Sequence, residues 1–143
     1  MGFLATDFVP LATVGPTVLI PSNKDVVVKV FTVSRSDTAN TLKAVLPADA
    51  SILSMKVFGS TASNAGTTAV VNFTVTSNAG TITSGSYNVL SNGAVTGDVT
   101  LPGLPNIMPV PLTGDLQISA QYVETGTAST AGGPWNVSVT YVR

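Results

Sequence analysis

In at least four stretches of this chain, apolar side chains recur at every second residue, and no stretch repeats them at helical spacing. Thr68–Thr76 places Val71, Phe73 and Val75 on one side and Asn72, Thr74 and Thr76 on the other. Asp115–Glu124 does the same with Leu116, Ile118, Ala120 and Tyr122 against Gln117, Ser119 and Gln121. Trp135–Val142 sets Trp135, Val137, Val139 and Tyr141 against Asn136, Ser138 and Thr140. A period of two is the signature of a strand that buries one face, because successive side chains leave a pleated backbone on opposite sides. Val and Thr are abundant and Glu occurs once, which also favours strands over helices.

The remaining segments extend the pattern. Asp25–Ser34 carries Val26, Val28 and Val30 on one face and Val27, Lys29, Phe31 and Val33 on the other, so both faces are apolar and the strand is expected to be covered on both sides or to meet a partner. Thr41–Leu46 is a short strand stopped by Pro47. Ser51–Val57 is expected to turn Leu53, Met55 and Val57 the same way, and Gly80–Leu90 and Ala94–Leu101 read as weaker strands. Turns fall between them. Ser63-Asn64-Ala65-Gly66-Thr67 recurs as Ser77-Asn78-Ala79-Gly80-Thr81, and Ser91-Asn92-Gly93 follows; Asn and Gly tolerate the positive φ that tight turns need. The segment Pro102–Pro111 is too rich in proline for an interior strand and reads as a crossing connection. Eight short strands, frequent turns and one long crossing predict an all-β fold: a two-sheet antiparallel sandwich, jelly-roll or immunoglobulin-like. Residues 1–24, with Phe3, Leu4, Phe8 and Leu11 among three prolines, are expected to form an N-terminal arm or edge segment, and 25–143 a single sandwich domain.

Charge narrows the function. Charged residues make up 9% of the chain, against about 25% in ordinary globular domains. Between Lys56 and Asp98 there is none. A net charge of −1 without a basic cluster gives nothing to neutralise phosphates, so nucleic acid is not an expected partner. No run of about 20 apolar residues occurs, so no membrane-spanning helix is expected. Met1–Thr13 lacks the basic start and apolar run of a secretory signal, which makes the Asn72 and Asn136 sequons ordinary strand residues. A monomer with so little charge is prone to associate, so the surface is expected to be hidden in an assembly, with Phe3, Leu4, Phe8, Leu11, Val27, Phe31 and Val33 as candidate contacts.

Chemistry has few carriers here. There is no histidine and no cysteine, which removes the commonest general base near neutral pH and every thiolate ligand or nucleophile. The seven carboxylates stand singly, mostly beside turns, and no closely spaced acidic run suits calcium. No catalytic residue, metal or cofactor is expected. A sugar-binding platform would need exposed aromatics such as Tyr87, Trp135 or Tyr141; Trp135, opening a strand after Gly132-Gly133-Pro134, is expected in the core or at its rim.

Two segments carry a resemblance. Leu46-Pro47-Ala48-Asp49-Ala50-Ser51-Ile52-Leu53-Ser54-Met55-Lys56-Val57-Phe58-Gly59-Ser60, with Ala65–Ala69, and the ending Glu124–Trp135 with its last strand resemble small decoration (cement) proteins of tailed-bacteriophage capsids. The resemblance covers about half of the chain. It implies a β-sandwich or jelly roll on the capsid exterior of a virion, a homotrimer at capsomer junctions, and the major capsid protein as partner. Against it stand a carbohydrate- or receptor-binding module of a virion fibre, a bacterial fibre or pilus subunit, and, least favoured, an enzyme.

Overall fold

The computed structural model describes residues 25–90, 95–103 and 114–143. Eight strands follow in order: β1 (Val26–Val33), β2 (Thr41–Leu46), β3 (Ser51–Gly59), β4 (Thr68–Ser77), β5 (Gly80–Asn88), β6 (Val95–Asp98), β7 (Leu116–Thr125) and β8 (Trp135–Val142). They form two antiparallel four-stranded sheets, β1-β8-β3-β6 and β2-β7-β4-β5. The pairs β1·β8, β2·β7, β3·β6 and β4·β5 are nested, like one long hairpin rolled over on itself. This nested order is the jelly-roll arrangement of a β-sandwich.

The inward rows predicted from the sequence make the core. Trp135, Phe73, Leu46, Ile52, Met55, Leu116 and Ile118 are fully buried. Two aromatic pairs join the layers. Phe31 of β1 meets Phe73 of β4 edge to face at 6.5 Å, and Trp135 of β8 stacks on Tyr122 of β7 at 5.4 Å. The Ser77–Gly80 repeat is the hairpin turn between β4 and β5, with Gly80 at φ 114, a conformation that side chains with a Cβ avoid. Its relative at Ser63–Thr67 lies instead in the long β3–β4 connection, where Ser63 forms an isolated bridge to Leu90. At the far side, the Tyr87 ring of β5 lies directly over Gly97 of β6, where a Cβ has no room.

Two expectations need correction. The bulge between Ile52 and Ser54 inserts one residue into β3, so Ile52 turns inward and Leu53, expected to face the same way as Met55 and Val57, is instead 38% exposed while those two are buried. On β1, Phe31 and Val33 are buried beneath the opposing sheet and Val27 is packed against the core. A side chain covered by its own domain cannot meet a partner, so Phe31 and Val33 are core residues, and the uncovered row of β1 is Val26, Val28 and Val30. The arm expected over 1–24, with Phe3, Leu4, Phe8 and Leu11, lies outside the described residues, as does most of the proline-rich crossing.

Candidate interaction surface

Among the described residues, the uncovered large apolar side chains lie on the outer face of the first sheet and on the adjoining β2 edge of the second. Val26, Val28 and Val30 of β1 are 63%, 58% and 56% exposed. The register sets Val26 beside Val142 of β8 on the same outer face, and the β3 bulge turns Leu53 out near the same end. On the second sheet, Leu42 and Val45 of β2 are exposed. The β2 bulge between Leu42 and Ala44 lets both point outward while Ala44 and Leu46 fill the core. The Lys29 ammonium ties the two edges together by donating to the Val45 carbonyl at 2.8 Å. Beside the bulge, Leu53, Ser54, Met55, Asp98, Val99 and Leu101 line a shallow open groove of about 280 Å³.

Away from Leu42 and Val45 on the β2 edge, the outer face of the second sheet is polar. Asn72 and Thr74 of β4 and Gln117 and Ser119 of β7 alternate with buried apolar neighbours, and Ser84 and Ser86 of β5 are exposed beside them. The surface therefore pairs uncharged hydroxyls and amides on one sheet with bare valines on the edge of the other.

At one end of the sandwich, polar side chains clamp the loops rather than open a site. The Tyr122 hydroxyl lies 2.7 Å from the buried Ser63 hydroxyl and donates to Glu124 Oε2 at 2.6 Å. The Ser129 amide donates to the same carboxylate at 3.2 Å. Arg35 donates from Nη1 to the Ser129 carbonyl at 2.6 Å and from Nε to the Gly132 carbonyl at 3.2 Å. Asn64 Oδ1 accepts from the Thr130 and Ala131 amides, both at 2.9 Å, and the Trp135 indole donates to the Thr61 carbonyl at 2.9 Å. Burial, with the Glu124 carboxylate beside it, pushes the Tyr122 hydroxyl above its ordinary 10.0. Hydrogen bonds from Ser129 and then Tyr122 hold Glu124 below its ordinary 4.5. These groups satisfy one another and leave no activated nucleophile: the Ser63 hydroxyl faces a phenol, not a base.

Two further pairs of charges are engaged locally. Burial raises Asp37, but hydrogen bonds from Lys43 and the Ser34 amide outweigh it and hold the carboxyl below 3.8. Lys56 pairs with Asp98 at 3.6 Å on the surface. Among the described residues no three His, Cys, Asp or Glu side chains come together. Of the aromatics that a sugar platform would use, Trp135 and Tyr141 are buried and Tyr87 is half-buried over Gly97. The valine row was present in the sequence pattern, but the pattern gave two apolar faces and did not say which one the second sheet covers.

Compared with protein-family models, curated proteins and solved structures, the chain matches none.

Proposed function

We propose that this chain is a non-catalytic structural subunit that decorates and stabilises a bacteriophage capsid shell from the outside. The observation that carries the reading is the uncovered apolar row Val26, Val28 and Val30, with Leu53 near its end on the same outer face and Leu42 and Val45 exposed on the neighbouring β2 edge. Contiguous apolar surface on a soluble domain is a contact surface, and scarce charge leaves little else to keep such a domain dispersed. A subunit that buries this surface across capsomer boundaries must be released before a shell subunit can leave, so its binding free energy adds to shell stability by mass action. Jelly rolls serve in viral capsid domains and also in lectins, so the fold agrees with the reading by analogy alone. The segments that resemble decoration proteins imply a trimer and the major capsid protein as partner, and both belong to the proposal.

The test is addition of the full chain to bare shells of the phage that encodes it. Co-sedimentation at a fixed stoichiometry with a higher rupture temperature supports decoration. Free chain in the supernatant and unchanged shells overturn it. The carbohydrate-binding alternative is disfavoured because Trp135 and Tyr141 are spent in the core. Specific binding on a glycan array would reverse that order.

A further inference from the structure

Among the described residues, four strands stand at the sheet edges: β1 and β6 in the first sheet, β2 and β5 in the second. An edge strand presents unpaired amides and carbonyls, and proteins blunt such edges with short strands, bulges or charges. Three of the four are blunted here. β6 is four residues long. β2 is bulged between Leu42 and Ala44, and its Val45 carbonyl is taken by Lys29. The β4·β5 register shifts after Val75↔Thr83, which leaves Ile82 as the extra residue of β5. β1 is different. It runs eight residues in unbroken register with β8, and its single charged side chain, Lys29, is engaged with β2.

The open side of β1 can be assigned residue by residue. The Arg143 amide donates to the Asp25 carbonyl, which makes that pair a hydrogen-bonded one. Such pairs alternate along an antiparallel ladder. The odd-numbered residues therefore bond β8, and the backbone groups of Val26, Val28, Val30 and Thr32 point to the open side. Val26, Val28 and Val30 also carry the exposed side chains.

We propose that this edge pairs antiparallel with β1 of a second copy, across a twofold axis at Val27. The charges select both occupant and register. Asp25 and Lys29 lie on the same side of the strand, symmetric about Val27. An axis at Val27 sets Asp25 opposite Lys29 of the partner subunit, twice, with Val26 facing Val28 of the partner subunit; the Lys29 ammonium spends one of its three N–H donors on the Val45 carbonyl and keeps two for the carboxylate. An axis at Val28 leaves both charges unpaired, and one at Lys29 sets two lysines against each other, which is repulsive. The strand is thus complementary to itself in one register. The pair forms from Asp25–Lys29 of each copy, joins two four-stranded sheets into one, and sets Val26 and Val28 of the two copies side by side on one outer face. This contact goes beyond shell decoration and needs no shell. It is twofold, whereas the resemblance implies a threefold assembly, so the two readings fail separately.

The experiment is light scattering of the full chain over a concentration series, starting from a protomer mass of 14.5 kDa. A reversible species of twice that mass is expected. Asp25→Lys and Lys29→Asp should each weaken it about tenfold, because two attractive pairs become repulsive, and the double variant should restore it. Val28→Lys should yield a monomer with unchanged far-ultraviolet circular dichroism. The chain has no cysteine, so Val27→Cys provides a clean reporter. Two cysteines in a non-hydrogen-bonded pair about 4.5 Å apart at Cα should cross-link on oxidation. A monomer at every concentration, an oligomer indifferent to Val28→Lys, a charge swap without recovery, or cross-linking through Val28→Cys but not Val27→Cys would each overturn the proposal.

Discussion

Replacing Tyr122 with phenylalanine isolates the hydroxyl that holds the loop end of the sandwich together. The ring stays buried against Trp135, so no cavity opens. What is lost is the bond to Ser63 at 2.7 Å, the bond to Glu124 at 2.6 Å and a longer one to the Ser129 hydroxyl at 3.3 Å. Glu124 can turn to water, but Ser63 is 2% exposed and keeps only the Ala65 amide as a donor to it. Leaving one buried hydroxyl half-satisfied costs about 1–3 kcal/mol. For a chain of this length that is a fall in Tm of roughly 4 °C per kcal/mol. Urea titration and thermal unfolding at pH 7 measure it. The pH limbs sharpen the test. Tyr122 has its folded pKa raised, so its contribution is whole below 10.0 and fades as pH rises through the folded value; the variant should lack that alkaline loss. Glu124 has its folded pKa lowered, so its contribution is whole above 4.5 and fades as pH falls through the folded value; without the Tyr122 bond, the acid loss should be shallower. A variant within about 0.5 kcal/mol of the parent at pH 7, with unchanged limbs, would refute the clamp.

Other expectations follow from the same packing. Ile52→Lys should unfold the domain by burying an unpaired charge, whereas Leu53→Lys, one residue on, should change stability by no more than about 0.5 kcal/mol; denaturant midpoints compare them. Gly97→Val should displace the Tyr87 ring and cost about 1–3 kcal/mol, and Tyr87→Ala in the same chain should recover part of that loss. Asp37→Asn removes the negative charge beside Lys43 and leaves only a neutral oxygen to accept from Lys43 and the Ser34 amide, so about 1 kcal/mol is lost at pH 7; because the Asp37 pKa is lowered, the difference should close as pH falls below 3.8. Deleting Met1–Pro21 should weaken attachment to bare shells in the co-sedimentation assay, and unchanged attachment removes the arm from the reading.

The strands and most of their inward faces are legible in the order of residues alone. Val71, Phe73 and Val75, Leu116 to Tyr122, and Trp135 to Tyr141 alternate so regularly that any register burying one row must expose the other. The shortage of charge and the lack of histidine and cysteine likewise need no structure to be read. Tertiary structure alone decided the rest. The bulge in β3 put Ile52 in and Leu53 out, and nothing local marks it, because an inserted residue is felt only against the neighbouring strand. The nested strand order depends on pairings between distant segments, and Phe31 and Val33 became core because β1 landed beneath a second sheet. With two apolar faces on one strand, alternation names the faces but not the covered one. That choice is made by the opposing layer, and here it leaves Val26, Val28 and Val30 uncovered.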